Sequence, residues 1–322
     1  MSSLKVLVIA DPSAAFLKPL SALPPEVDVT IADNIAVLRE SAPNTDVIMF
    51  AHGKPELLTE ILPLAARTKW IHSLWTGVEG IVTPQMAQHP APLSNGRGVF
   101  RWPLADWVMA SMLFFAFKLR DVLRQQEQGI WKMVHGQMLH GQTLGIVGYG
   151  SIGSATAERA KAFGMKVAAL RRKRALLESA PLIDAAYSQD QIRELMAESD
   201  YLLLSAPLTA ETRGLIGAGE IAAMKPTAVI MNVGRGPVID EAAMIRALQS
   251  GKIRGAALDV FDTEPLPPDH PFWKMTNVLL SPHTADRVEG FLAPALECFL
   301  DNLSRFRTGS PLLNIVEKHA GY

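Results

Sequence analysis

The run Thr143-Leu-Gly-Ile-Val-Gly148-Tyr149-Gly150-Ser151-Ile152-Gly153 constrains this chain more than any other stretch. A short apolar strand enters a G-x-G-x-x-G turn, and a helical pattern leaves it and continues to Phe163. Gly148 admits the tight turn, Gly150 lets a ligand approach the backbone, and Gly153 lets the helix lie close on the strand. The helix opening at Ser151 and Ile152 offers unpaired N–H groups and a partial positive charge to an anion, in this pattern a dinucleotide diphosphate. A second strand, Lys166–Leu170, follows where a βαβ unit needs it, so a Rossmann-type sheet is expected here.

The flanking sequence has the same character. Val6–Ala10, Val27–Ile31, Val47–Phe50 and Trp70–Leu74 read as strands separated by helical patterns, which is parallel α/β construction. Beyond the glycine turn, strands are expected near 143–147, 166–170, 200–204, 227–232, 255–258 and 277–280, the six of a doubly wound dinucleotide domain. A single long helix is expected from Pro103 to about Gln126, carrying Leu104, Trp107, Val108, Met112, Phe115 and Leu119. It reads as a crossing between the domains or a subunit contact, and equally as a core helix. At 322 residues the chain exceeds what one core usually fills, so two domains are expected, and the short helical tail after Asp286 should return to the first.

Composition removes several classes. With 31 basic and 32 acidic residues there is no overall field for a nucleic acid or an anionic membrane, so neither is expected as a partner. Met1–Ala10 lacks a charged segment followed by an apolar one, and no window approaches the roughly 20 apolar residues of a membrane span, which points to the cytoplasm. Cys298 is the only cysteine and reads as a small buried hydrophobe, which excludes an internal disulfide. The histidines show no metal-ligand spacing, so no metal is expected.

Four stretches then carry a resemblance. They are Gly141–Gly153, Ala206-Pro207-Leu-Thr-Ala-Glu-Thr212, Asn232-Val233-Gly234-Arg235-Gly236 continuing to Ala257-Leu-Asp259-Val-Phe-Asp-Thr-Glu264-Pro265, and Ser281-Pro-His283. In order and spacing the chain resembles the D-isomer-specific 2-hydroxyacid dehydrogenases, glyoxylate/hydroxypyruvate reductases among them, well over 90–300 and loosely before. The resemblance implies a Rossmann-type doubly wound cofactor domain (99–286) inserted in a flavodoxin-like substrate domain (1–98 and 287–322), and a homodimer joined through the cofactor domain. It implies an oxidoreductase moving a hydride between NAD(P)H and C2 of a small 2-keto or 2-hydroxy acid. Arg235, Glu264 and His283 become the catalytic set. Gly148, Tyr149, Gly150, Ser151, Ile152, Gly153, Pro207, Thr212, Val233, Gly234, Arg235, Asp259 and His283 become cofactor contacts, with Asp259 at the nicotinamide carboxamide. Gly77 and Val78, with Arg235 and His283, become substrate contacts, although Trp75–Gly80 also reads as a plain turn. Two alternatives share the fold: a dinucleotide-sensing binding protein or corepressor, and a formate or phosphonate dehydrogenase.

The chemistry asks for the same residue types. A 2-keto acid needs a cation for its carboxylate, which a planar arginine fork supplies while still reaching the carbonyl. It needs an acid for the developing alkoxide, and histidine titrates near working pH, at about 6.5. A carboxylate on the other ring nitrogen fixes the tautomer. Taken singly, Arg235 also reads as a surface arginine, Glu264 as a solvated loop residue and His283 as one histidine of eight.

NAD-using forms of this fold place an acid at the end of the second strand, on the adenine ribose. Here that position is Arg171, followed by Arg172, Lys173 and Arg174. NADP is therefore the expected cofactor, with NAD possible, and Arg171 and Arg172 the expected 2′-phosphate contacts, with Lys173 or Arg174 turned to solvent, although the four cations also read as a solvated basic turn. Arg101, Trp102 and Asp106 depart from the family pattern and read either as pocket-shaping or as hinge packing. His52 lies where the family often has substrate contacts.

Overall fold

Alternating apolar runs leave the chain two parallel sheets to build, and the structure, a computed structural model, describes residues 3–172, 175–178 and 180–319. It divides into two compact units, one running to Phe100 and resuming at Glu289, the other spanning Arg101–Val288.

In the first unit, β1 (Leu4–Ile9), β2 (Val27–Ala32), β3 (Val47–Phe50), β4 (Trp70–Ser73) and β5 (Leu93–Asn95) form one parallel sheet in the order β2-β1-β3-β4-β5. This is the flavodoxin-like order. Helices α1 (Ile35–Ser41), α2 (Pro55–Ile61) and α3 (Pro84–Gln88) connect the strands. Asn34 and Thr83 cap α1 and α3 by accepting from Ala36 and Met86 N–H groups. Strand β5 was not expected, because Leu-Ser-Asn has neither alternation nor an apolar run; it pairs with β4 and is buried throughout.

The second unit opens with α4 (Arg101–Ala116) and α5 (Leu119–Glu127). The single helix expected from Pro103 to Gln126 is therefore corrected: the two are bent by 67°. Lys118 between them is left-handed, at φ 52°. No glycine or proline marks the break; the Gln137 N–H donates to the Ala116 carbonyl at 2.8 Å and closes the end of α4 from a distant part of the chain. Then come β6 (Thr143–Val147), α6 (Ser151–Ala162), β7 (Lys166–Leu170), α7 (Ala175–Glu178), β8 (Ala185–Tyr187), α8 (Ile192–Glu198), β9 (Tyr201–Leu204), α9 (Ala218–Ala223), β10 (Val229–Asn232), α10 (Glu241–Gln249), β11 (Gly255–Leu258) and β12 (Val278–Leu280). Their parallel sheet runs β12-β11-β10-β9-β6-β7-β8, seven strands where six were expected. The missed strand, β8, is a half-buried Ala-Ala-Tyr too short to show a period. Apolar cores cover both faces of this sheet. No single helix among the described residues is long and apolar enough to cross a membrane.

The chain returns to the first unit as α11 (Ala293–Thr308). Phe299 of α11 stacks on Trp70 with ring centroids 5.4 Å apart. Cys298 is half-buried, not fully so, and burial pushes its thiol up.

Beside Trp70 lies His72, with no exposed surface. The Trp70 indole N–H donates to Ser94 Oγ at 2.9 Å, and His72 Nδ1 lies 2.8 Å from the same oxygen. His72 Nε2 is buried without a hydrogen-bond partner among the described residues. Burial drives the pKa of His72 down to about 3. The folded chain thus refuses a proton that the unfolded chain takes up below about pH 6.5, and stability falls as pH drops through that window by up to about 1.4 kcal/mol per pH unit. Urea midpoints measured from pH 7 to pH 4 should fall less steeply in His72→Phe than in the natural protein. An unchanged slope would show that His72 is not the group responsible.

Candidate active site

The glycine turn sits at the carboxyl end of β6, between β7 and β9, where neighbouring connections leave in opposite directions. Gly148 has φ +93°, and a Cβ there would fall 2.6 Å from the Ala206 backbone nitrogen, so only glycine fits. Gly150 faces open space, with nothing within 4 Å of where a Cβ would stand. It is also the N-cap of the twelve-residue α6 and supplies no side-chain cap to the first N–H groups, at Ser151, Ile152 and Gly153. An open backbone approach onto an uncapped helix N-terminus fits a dinucleotide diphosphate. Tyr149 turns its ring into the core, so only its backbone faces the turn. On the β9 side, the Thr212 hydroxyl donates to the Pro207 carbonyl at 2.6 Å, and Ser205 Oγ donates to the Gly148 carbonyl at 2.9 Å. Arg171 and Arg172 follow β7; Arg172 is exposed, with Nη1 3.4 Å from Glu211 Oε2. Lys173 and Arg174 lie outside the described residues.

Arg235 stands beyond the carboxyl end of β10, after the buried Val233 and Gly234. Its backbone is fixed by Asn232, whose Nδ2 donates to the Arg235 carbonyl at 3.0 Å and whose Oδ1 accepts from Gly234 N–H at 3.0 Å. Its Nη1 donates to the Gly234 carbonyl at 2.7 Å. A side chain at Gly236 would overlap the Phe261 backbone, so this glycine lets the arginine loop lie against the loop that carries Glu264.

Glu264 precedes Pro265 through a cis bond and uses both carboxylate oxygens. Oε1 accepts from Phe261 N–H at 2.9 Å, and Oε2 meets His283 Nδ1 at 2.7 Å. The imidazole is thereby fixed with Nδ1 on the carboxylate. His283 lies after β12 at φ 54°, the left-handed region. Its own N–H donates to the Asp259 carbonyl at 2.9 Å. Asp259, buried, completes the turn: its Oδ1 accepts from Ser281 Oγ, from Thr284 N–H at 2.9 Å and from Ala285 N–H at 3.1 Å.

The charges of this group act on one another, Glu264 supporting and Arg235 opposing the proton on His283. The hydrogen bond that His283 Nδ1 donates to Glu264 raises the pKa of His283 against the opposing effects of burial and the Arg235 charge. Burial alone would raise Glu264, but its hydrogen bonds with His283 and Phe261 N–H and the charges of His283 and Arg235 hold it below the usual range. Asp286, three residues past His283, is pushed up by burial and by Asp259 against the nearby positive charges of Arg287 and His283. Ser281 and Glu211 fall inside the quoted stretches without a role assigned to them, and Asp286 lies outside them; the part each plays is recognisable only from its neighbours in space.

Gly77 and Val78 lie in the loop after β4, in the first unit, with Val78 buried. That loop is tied down by Asn95 Nδ2 donating to the Thr76 carbonyl at 2.7 Å and by the Trp75 indole donating to the His52 carbonyl at 3.3 Å. In the second unit, Trp102 lies under two guanidinium groups, Arg101 at 4.9 Å and Arg159 at 4.6 Å from its ring centroid. Asp106 pairs with Arg159, so this departure from the family pattern bolts α4 onto α6.

Residues 109–285 match the family described as D-isomer specific 2-hydroxyacid dehydrogenase, NAD binding domain. The glyoxylate reductase of Korarchaeum cryptofilum is 34% identical over 272 residues, which cover 80% of this chain and 79% of that protein. A D-isomer specific 2-hydroxyacid dehydrogenase family protein from Aeromonas salmonicida has a solved structure similar to this one at TM-score 0.88 and 30% identity, over 98% of this chain and 100% of that one. An NADPH-dependent glyoxylate/hydroxypyruvate reductase from Sinorhizobium meliloti, solved with NADP and sulfate, is similar at TM-score 0.86 and 26% identity, over 99% of this chain and 100% of that one. The chain belongs to the D-isomer specific 2-hydroxyacid dehydrogenase family. It is an NAD(P)-dependent oxidoreductase with a Rossmann-type domain.

If Oε2 of Glu264 sets the state of the imidazole, His283 should titrate above its ordinary value in the natural protein and lower in Glu264→Gln. NMR titration of the histidine ring reads both; identical values would show that the pair is not formed in solution.

Proposed function

We propose that this enzyme reduces a small 2-keto acid of the glyoxylate or hydroxypyruvate class with NADPH, and that Arg235, Glu264 and His283 are its catalytic residues. The observation that carries the reading is the 2.7 Å contact between His283 Nδ1 and Glu264 Oε2 beside the Arg235 cation. With Nδ1 held by the carboxylate, Nε2 is the nitrogen left to protonate the alkoxide in reduction, and to remove the hydroxyl proton in oxidation. Arg235, its backbone set by Asn232, pairs with the substrate carboxylate and polarises the C2 carbonyl. Gly77 and Val78 are proposed as further substrate contacts through their N–H groups. Gly148–Gly153, Pro207, Thr212, Val233, Gly234 and Asp259 hold the dinucleotide, which when bound supplies the hydride. Both named reductases among the relatives support the substrate class.

Addition of glyoxylate, hydroxypyruvate and longer 2-keto acids should lower NADPH absorbance, with the rate graded by side-chain size. His283→Ala should reduce turnover by about two to four orders of magnitude while NADPH binding changes little. Turnover with none of these acids, or full turnover in the variant, would overturn the assignment.

The preference for NADPH rests on Arg171 and Arg172 standing where NAD-using forms of the fold carry an acid. The NADPH dependence of the Sinorhizobium relative agrees with it. Charge-assisted hydrogen bonds contribute about 1.5–3 kcal/mol each, so one good pair gives a preference of about tenfold to a hundredfold. The ratio of kcat/KM for the two cofactors should collapse in the Arg171→Ala, Arg172→Ala double variant. Equal use by the natural enzyme, or a ratio unchanged in the variant, speaks against it.

Assembly as a homodimer through the cofactor domain completes the reading. Its support is the apolar surface of the second unit on and beyond α5: Trp131 is fully exposed, with Leu123, Met133 and Met138 exposed nearby in sequence.

A further inference from the structure

The ion pair between Arg172 and Glu211 spans two loops that stand on opposite sides of β6. Arg172 is the second residue after β7, and Glu211 lies in the loop after β9; in the sheet the order is β9-β6-β7. The pair therefore lies at the carboxyl end of the strand that carries the glycine turn, toward the side where this fold reads the adenine ribose.

Glu211 is not delivered there by a loose loop. Thr212 Oγ1 donates to the Pro207 carbonyl at 2.6 Å and accepts from Thr209 N–H at 2.8 Å. Arg213 N–H donates to the Thr209 carbonyl at 3.0 Å, and Ser205 seats the base of the loop on the Gly148 carbonyl. The carboxylate thus projects from a fixed turn. The ion pair itself is weak and separable: it is 3.4 Å long, and the two side chains are 58% and 61% exposed.

We infer that Glu211 is a cofactor-selectivity residue, a carboxylate that competes with the 2′-phosphate of NADPH for Arg172 and thereby keeps NADH usable. The inference rests on the proposed binding of the 2′-phosphate by Arg171 and Arg172. A 2′-phosphate entering there displaces Glu211 from Arg172 and is repelled by it. A ribose 2′-hydroxyl is not repelled, and can donate to the carboxylate as it does to the strand-end acid of NAD-using relatives of the fold. The acid missing after β7 is in effect supplied from the β9 loop.

The test is Glu211→Gln, which keeps the shape and removes the charge at an exposed position, with NADPH and NADH dissociation constants read from nucleotide fluorescence at low salt. NADPH should bind about threefold to tenfold more tightly, the range expected for exposed charges in water, and NADH the same or slightly more weakly. Arg172→Ala, measured alongside, separates the two readings. If it weakens NADPH while Glu211→Gln leaves the NADPH-to-NADH ratio within twofold of the natural protein, or moves it toward NADH, the inference about Glu211 is overturned alone. If Arg172→Ala leaves NADPH binding unchanged, the 2′-phosphate reading fails and the inference falls with it.

Discussion

Ala206 is wedged between two glycines, and the geometry of the cofactor unit's working edge follows from that contact. A Cβ on Gly148 would fall 2.6 Å from the Ala206 nitrogen, and one on Gly234 would fall 2.7 Å from the Ala206 oxygen. The loops leaving β6, β9 and β10 therefore meet at van der Waals distance, with no side chain between them. Packing at this density leaves little room for adjustment, because separating the loops by one methyl group would open the interior on either side. From the first glycine the chain passes to the open approach at Gly150 and the uncapped start of α6; from the second it passes to Arg235. The glycine turn and Arg235 are thus registered to each other through one alanine.

The loop that carries His283 is organised around a buried carboxylate. Asp259 gathers Ser281, Thr284 and Ala285 onto a single oxygen, and its carbonyl takes the N–H of His283. A left-handed conformation at a residue with a Cβ costs about 1–3 kcal/mol, and these hydrogen bonds offset that cost. The conformation aims the imidazole at Glu264. Because His283 is 46% and Glu264 35% exposed at the side chain, solvent moderates their attraction, and the pair stays able to gain and lose a proton.

Much of this could be read from the sequence, and the division between what could and what could not is physical. Gly148, Gly150 and Gly153 announce themselves because a backbone requirement admits one residue type. Arg235, Glu264 and His283 stand at strand ends of the same sheet, so their spacing survives as a sequence pattern. The break at Lys118 could not be seen, since the group that closes the end of α4, the Gln137 N–H, lies far along the chain. Strands β5 and β8 were missed because three residues cannot display a period of two against noise. Trp102 and Asp106 looked anomalous until Arg159, from another helix, supplied the partner to both.

These two kinds of residue also differ in how freely they can change. The backbone-determined positions sit in the core: Ala206, Val233 and Gly234 are buried, and a larger side chain there would disturb three strand-end loops at once. Arg172 and Glu211 are exposed and touch across solvent, where substitutions usually change stability by no more than about 0.5 kcal/mol. On the reading proposed above, the choice between cofactors lies with residues of the second kind, while residues of the first hold the loops from which the glycine turn and Arg235 project. A chain built this way can alter which dinucleotide it takes without unsettling the turn that binds the diphosphate or the pair that moves the proton. The same asymmetry explains why the glycines and the strand-end triad stand out in the sequence, while the pairing of Glu211 with Arg172 emerges only once the two are seen side by side.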